Sequence, residues 1–84
     1  MTYQDALDYL RIAENAYNVQ AYSESAEIVE KLAYFAVDIE NGLSSQQRVE
    51  IIEAVKRAIG RFTFCPDEYI WEKTGGLIDL FDNK

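Results

Sequence analysis

Apolar residues recur with helical spacing along most of this 84-residue chain. The widest apolar surface belongs to 24–41, where a projection of about 100° per residue places nine apolar side chains on one arc of about 200°. These are Ala26, Ile28, Val29, Leu32, Ala33, Phe35, Ala36, Val37 and Ile39. An arc this wide can contact two or three other helices, so the segment is predicted to be the central helix of a bundle.

Four helices are predicted from this periodicity, with bounds of about 3–19, 24–41, 45–61 and 66–73. Capping residues mark where they begin. Thr2 with Asp5, and Ser44 with Gln47, match the capping-box pattern, in which each side chain accepts a hydrogen bond from the other residue's backbone N–H. Ser23 is predicted to cap the second helix.

Glycine and proline mark where these helices are expected to end or begin. Gly42 suits the left-handed backbone that follows a helix, and Pro66 suits a first helical turn, where no N–H partner is needed. Gly75 and Gly76 are predicted to stop the fourth helix. The segment 77–82 is then expected either to add one short helical turn that closes the core or to stay extended.

These elements predict an all-α fold, a small four-helix bundle in a single domain, 1–84. The chain contains one proline and four glycines, which favours long helices, and 49% of its residues are apolar, enough to form a core. No apolar run approaches the roughly 18 residues of a membrane span, and the N-terminal residues lack the basic start of a signal peptide. We therefore expect a cytoplasmic protein, in which the single cysteine, Cys65, forms no internal disulfide.

The net charge of −7 is unevenly distributed along the chain. Residues 1–30 contain six acidic residues and one basic residue, whereas residues 44–61 contain two acidic and four basic residues. Direct nucleic-acid binding is disfavoured, since it requires a basic surface that displaces counterions. The acidic half is interpreted either as a solubilising surface or as a face for a protein partner with a basic surface.

Few residues suited to catalysis or metal binding are present. The chain has no histidine and one cysteine, which excludes a Cys–His pair and the usual zinc sites. Glu24, Glu27 and Glu30 lie on the polar side of their helix, whereas di-iron bundles project Glu-x-x-His pairs into the core. Calcium loops and glycine-rich phosphate loops are also absent. We predict a non-enzymatic protein without metal or cofactor, the remaining alternative being a carboxylate pair in a cleft.

The polar side of the second helix is the first candidate binding surface. Tyr34 lies there among charged residues, and this combination suits protein interfaces, because the ring supplies rigid contact area and the acids attract a basic partner. The predicted partner-binding residues are Glu24, Glu27, Glu30, Lys31, Tyr34 and Asp38, joined by Asp5 and Asp8 of the first helix. The alternative is a solvated face with one incidental tyrosine.

An acidic face of this kind predicts a protein that acts by binding another protein. The most concrete form is an inhibitor or antagonist of the phage-encoded or immunity type. The size and charge of the chain also suit a decoy that imitates the phosphates of DNA and occupies the basic site of a nuclease.

The first helix has more apolar surface than one neighbouring helix can cover. Its surplus stripe consists of Tyr9, Ile12 and Ala16. Either this helix wedges between two others, or the stripe contacts a second copy of the chain and makes the protein a homodimer or a larger oligomer.

The last candidate surface is the segment Leu77, Ile78, Asp79, Leu80 and Phe81. It resembles a degenerate form of the bacterial sliding-clamp-binding peptide, whose pattern is Gln-Leu-Ser/Asp-Leu-Phe. Leu77 stands in place of the glutamine, Ile78 replaces a leucine, and the last three residues fit. The resemblance implies a replication accessory protein that docks through its tail. The alternative is that Leu77, Leu80 and Phe81 close the core.

Overall fold

Four α-helices and one turn of 3₁₀-helix form the protein in a computed structural model that describes residues 1–82. The bounds are Tyr3–Asn18 for α1, Tyr22–Val37 for α2, Ser45–Arg61 for α3 and Glu68–Asp82 for α4, with the 3₁₀ turn at Phe62–Phe64. This confirms the predicted all-α four-helix bundle. The last two residues of the predicted domain 1–84 lie outside the described range.

The helices pack in two layers. Both α2 and α3 contact every other helix, whereas α1 and α4 do not contact each other within the described residues. The molecule measures 35 × 27 × 15 Å along its principal axes, and the shortest of these extents matches two helices packed about 10 Å apart. We therefore describe α1, α2 and α4 as one layer with α2 in the middle, and α3 as the helix behind it. The predicted central position of α2 is confirmed.

The core combines alanines of α1 and α2 with larger side chains of α2, α3, the 3₁₀ turn and α4. Its buried members are Ala6, Ala13, Ala26, Val29, Leu32, Ala33, Ala36, Ile51, Val55, Ile59, Phe62, Ile70 and Leu77. Alanines allow neighbouring helices to approach closely, while burial of a side chain such as Leu32 or Phe62 contributes about 1.5–3 kcal/mol. The buried hydroxyl of Ser25 donates to the carbonyl oxygen of Ala13 at 2.7 Å, which connects α2 to α1.

Both predicted capping boxes are present. The side chain of Thr2 accepts from the N–H of Asp5, and the Asp5 carboxylate accepts from the N–H of Thr2, each at 3.1 Å. Ser44 and Gln47 make the same reciprocal pair at the start of α3, again at 3.1 Å. These bonds satisfy N–H groups that have no partner inside the helix.

The start of α2 differs from its prediction. The helix begins at Tyr22, and its N-cap is Ala21, without a side-chain hydrogen bond, so Ser23 lies inside the first turn instead of capping it. The reason is a tight connection from α1. Gln20 adopts a left-handed backbone with φ of 66°, and the N–H of Ala21 donates to the carbonyl of Ala16 at 2.8 Å. This turn brings the chain into α2 earlier than the serine pattern indicates.

The end of α2 also differs, because the helix stops at Val37 and not near 41. Asp38 is extended, with ψ of 118°, and Gly42 later takes the predicted left-handed backbone with φ of 79°. Ile39, which the periodicity assigns to the apolar arc, is 86% exposed. The carbonyl groups at this end have side-chain partners, since Arg48 of α3 donates to Ala36 and Asp38 and the Asn41 amide donates to Phe35.

Helix α4 continues through the glycine pair that is predicted to stop it. Gly75 and Gly76 both lie inside Glu68–Asp82. Their neighbours Thr74 and Leu77 are buried, and the Thr74 hydroxyl donates to the carbonyl of Ile70 at 2.9 Å. Glycine in a helix interior costs about 1 kcal/mol relative to alanine. Burial of the flanking residues outweighs this cost, so the segment 77–82 is part of α4 and neither a separate turn nor an extended tail.

Within residues 1–82, none of the helices combines the length and the apolar character needed to cross a membrane.

Candidate protein-binding site

Four exposed residues of α2 and the exposed residue at its C-cap form a ridge along the front layer. Glu24, Glu27, Lys31 and Tyr34 are spaced by three or four residues, which places them on one side of the helix, and Asp38 follows as the C-cap residue. Tyr34 is 54% exposed. The structure thus places these five predicted residues on one solvent-facing surface, which we call the α2 ridge.

Residues of α1 extend this surface on one side of the ridge. Asp5, Asp8, Tyr9 and Ile12 line a shallow recess together with Lys31 of the ridge. Tyr9 is 39% exposed and Ile12 is 50% exposed. The sequence suggests an acidic face and an apolar oligomer stripe as two separate surfaces, but the packing of α1 beside α2 combines them into one. We call the α2 ridge and these four α1 residues together the acidic face.

Ala16 does not belong to this surface. It is only 9% exposed, and its carbonyl oxygen accepts the N–H of Ala21 in the connection to α2. The predicted oligomer stripe is therefore reduced to Tyr9 and Ile12. A helical projection cannot distinguish these positions, because the three share one side of α1 and only the neighbouring helix decides which of them is covered.

Helix α4 borders the ridge on its other side and contributes a lysine that pairs with Glu30. The Glu30 carboxylate lies 3.1 Å from Nζ of Lys73, and both side chains are about one-third exposed. The hydrogen bond that Lys73 donates to Glu30 raises the pKa of Lys73 above its usual value. Partial burial opposes this rise, and the nearby Tyr69 and Glu27 add to it. Glu30 thus has an intramolecular ion-pair partner, which distinguishes it from the carboxylates of the α2 ridge.

The remaining charges make the acidic face strongly negative. It carries the carboxylates of Asp5, Asp8, Glu24, Glu27 and Asp38 and one ammonium group, that of Lys31. Its formal charge is therefore −4, more than half of the −7 of the whole chain. Apolar and aromatic groups stand among these charges, which gives the surface both a source of electrostatic attraction and groups that can be desolvated by contact.

The segment that resembles the sliding-clamp-binding peptide is helical and packed. Leu77 is buried, Ile78, Leu80 and Phe81 are half-buried, and only Asp79 is exposed. Nζ of Lys56 lies 5.9 Å from the centroid of the Phe81 ring, which attaches the segment to α3. A partner that recognised Leu80 and Phe81 would have to compete with their contacts in the bundle.

The fold also forms a cleft that the sequence analysis did not predict. It lies between α1 and α3, on the other side of α1 from the acidic face, and encloses about 240 Å³. Two alanines four residues apart on α3, Ala54 and Ala58, leave the space open. The alanine pair is the one feature of the sequence that could have indicated the cleft. It does so only when the helix packed opposite α3 is known.

Metal chemistry gains no support from the arrangement of side chains. In the part of the chain that the structure describes, no three histidine, cysteine or acidic residues lie close enough together to hold a metal ion. The carboxylates of the acidic face stand apart along two helices.

Comparisons of the chain with protein-family models, with curated proteins and with solved structures gave no match.

Proposed function

We propose that this protein acts by binding another protein through the acidic face and has no catalytic role. The observation that carries this proposal is the recess in which Asp5, Asp8, Tyr9 and Ile12 of α1 meet Lys31 of the α2 ridge. Solvated acidic surfaces need no exposed aromatic or aliphatic groups. Here Tyr34 and Ile12 expose half or more of their surface among the carboxylates, a combination that suits an interface with a basic rim and an apolar centre.

The dimensions of the molecule support an interface on this side. A typical specific interface buries about 800 Å² on each partner. The two longer axes of the molecule are 35 and 27 Å, so its broad front can supply a contact of this size. The partner that fits has a basic surface, which the carboxylates attract from a distance and which Tyr9, Ile12 and Tyr34 then contact directly.

An inhibitor or antagonist is the most concrete form of this function. A basic groove that normally binds nucleic acid is the kind of site that an array of carboxylates can occupy. The protein would then act as a decoy of the phage-encoded or immunity type.

The test is affinity purification from a lysate with a variant of the α2 ridge. Glu27→Gln, Tyr34→Ser and Asp38→Asn together remove two negative charges and one aromatic ring, and the amide at position 38 keeps an acceptor for the N–H of Glu40, which Asp38 binds at 2.9 Å. We expect the partner to be recovered with the wild-type chain and lost with this variant. Recovery in equal amounts with both chains would contradict the proposal.

A matched control removes the same chemistry elsewhere. Val49→Ser, Glu53→Gln and Asp79→Asn together also remove two charges and one exposed apolar side chain, at positions on α3 and α4 that lie outside the acidic face. This control is expected to retain the partner. Competition between the recovered partner and double-stranded DNA then distinguishes a nucleic-acid decoy, which DNA displaces, from an antagonist of another kind.

Self-association is a second candidate function, favoured by the exposure of Tyr9 and Ile12. Sedimentation of the wild-type chain and of an Ile12→Ser variant separates the two functions. A dimer that Ile12→Ser dissociates supports self-association, whereas a monomer at tens of micromolar argues against it.

A further inference from the structure

We propose that the cleft between α1 and α3 is a binding site for a small amphipathic carboxylate, with its apolar part inside the cleft and its charged group at the two arginines of the mouth. This inference does not depend on the acidic face, which lies on the other side of α1.

The interior of the cleft is apolar and its few polar atoms already have partners. The lining includes Leu10 and Ala13 of α1, Ala54 and Ala58 of α3, and Phe62. Ser25 Oγ donates to the carbonyl of Ala13, so it does not require a ligand or water inside. An occupant of the interior therefore needs to be hydrocarbon, because a polar group placed there would lose its hydrogen bonds to water.

Tyr17 fixes one wall of the cleft. Its hydroxyl donates to the carbonyl oxygen of Arg61 at 2.8 Å, which ties α1 to the end of α3. Its ring also packs edge-on against Phe62, with the ring centroids 5.4 Å apart. The wall is thus held by two independent contacts, and such a preformed pocket binds a ligand without a large ordering cost.

The size of the cleft selects a small ligand. A dry cavity of about 150 Å³ can hold benzene. The cleft encloses about 240 Å³, which leaves room for a ring with a short side chain or for a medium-length aliphatic chain.

The charged residues at the mouth of the cleft favour a ligand with a negative charge. Arg57, Arg61 and Glu14 line the cleft and are all exposed, and Arg61 lies 3.5 Å from Glu14. Arg57 makes no ion pair or hydrogen bond with the described residues. Two guanidinium groups against one carboxylate leave a net positive charge at the opening, although the chain as a whole is acidic. A carboxylate can take a bidentate pair of N–H bonds from Arg57.

The experiment is a titration of the full chain with sodium octanoate, followed by ¹H–¹⁵N correlation spectra. We expect saturable shifts at the amides of Ala13, Ala54 and Ala58, with a Kd of about 1 mM or tighter. Octanoate that shifts no cleft resonance at about 10 mM overturns the proposal. Octan-1-ol is the neutral probe of the same length, and it should bind several-fold more weakly.

Two charge variants at the mouth give opposite expected results. Arg57→Gln should weaken octanoate binding by about fivefold, and Glu14→Gln, which frees Arg61, should strengthen it by about threefold. Neither change should alter octan-1-ol binding. Arg11→Gln, an exposed arginine of α1 outside the cleft, is the control and should leave both affinities unchanged. If Arg57→Gln and Glu14→Gln leave the octanoate affinity unchanged, the assignment of the charged group is wrong.

A third variant blocks the interior. Ala58→Leu should weaken both probes by more than about tenfold, because the larger side chain occupies the cleft. Ala54→Leu serves the same purpose at the neighbouring position if Ala58→Leu does not fold, as judged by circular dichroism. Full octanoate affinity in a folded Ala54→Leu or Ala58→Leu protein would show that the alkyl chain of octanoate binds elsewhere, and this would overturn the proposal.

Discussion

Nη1 of Arg48 lies 2.7 Å from the carbonyl oxygen of Ala36, in the last turn of a different helix. The same nitrogen donates to the carbonyl of Asp38 at 2.7 Å, and Nη2 donates to the side-chain oxygen of Asn41 at 3.1 Å. The last carbonyls of a helix have no partner within it. Arg48 of α3 supplies that partner for α2. Its positive charge also interacts favourably with the negative, C-terminal end of the helix dipole.

Replacing Arg48 with methionine should therefore lower the free energy of unfolding by about 2 kcal/mol, since charge-assisted hydrogen bonds to carbonyl groups would be lost. Urea denaturation measures the change. Arg11→Met is the control, because Arg11 is exposed and makes no hydrogen bond or ion pair with the described residues. Equal denaturation midpoints for the two variants would show that the Arg48 contacts contribute nothing to stability.

Replacing Gln20 with glycine should stabilise the protein. Its φ of 66° lies in the left-handed region, which costs a residue with a Cβ atom about 1–2 kcal/mol. We expect Gln20→Gly to raise the free energy of unfolding by about 1 kcal/mol. Gln4→Gly, at an exposed position inside α1, should instead lower it by about 0.5–1 kcal/mol. Destabilisation by both changes would contradict the tight turn between α1 and α2.

The glycine pair of α4 offers a direct test of where this helix ends. A Cβ added at Gly75 or Gly76 would meet no atom within 4 Å. Each glycine-to-alanine change should stabilise the protein by about 0.5–1 kcal/mol, because alanine is the better residue in a helix interior. If α4 instead ended at this pair, with either glycine in a left-handed cap, alanine there would destabilise.

Gly42→Ala is the matched comparison for this test. Its site is equally open, but its φ of 79° disfavours any side chain, so alanine should destabilise by about 1 kcal/mol. Thermal unfolding of the three single variants gives all the required values. A Cβ atom has space at all three glycines, so opposite changes in stability would reflect the backbone conformation and not the packing.

Tyr3 should give the protein a distinctive response to alkaline pH. Its hydroxyl donates to the carboxylate of Glu50, and this bond raises the pKa of Tyr3 above its usual value, with smaller contributions from partial burial and from the negative charge of Glu50. The folded protein then keeps the proton more firmly than the unfolded chain does. The resulting stabilisation is complete below about pH 10 and is lost as the pH rises through the pKa of the folded state.

Difference titration at the tyrosinate absorbance band checks this expectation. The difference between the wild type and Tyr3→Phe should titrate above the usual tyrosine range. In a Glu50→Gln background the same difference should titrate closer to that range, because the negative charge is gone. An unchanged titration in the Glu50→Gln background would show that Glu50 does not set the pKa of Tyr3.

Much of the fold follows from local patterns that the sequence shows directly. The capping boxes at Thr2 and Ser44 place the starts of α1 and α3, because their hydrogen bonds involve only residues three apart. The α2 ridge was predictable for a similar reason, since the 3.6-residue period alone decides which residues share one side of a helix.

Contacts between distant residues decided the rest. Arg48 of α3 donates to a carbonyl group at the end of α2, and burial of Thr74 and Leu77 stabilises α4 on both sides of its glycine pair. Lys73 of α4 forms an ion pair with Glu30 of α2, although nothing near Glu30 in the sequence indicates this pairing.

The sequence by itself determined that the chain is helical, which side of each helix is polar, and that residues 1–30 contain six acidic residues against one basic residue. Only the tertiary structure decided that Tyr9 and Ile12 join the acidic face, that Ala16 is covered, and that Ala54 and Ala58 open a cleft towards α1. The physical reason is that periodicity defines the apolar side of a helix, whereas the neighbour that covers this side is chosen by the packing of the whole chain.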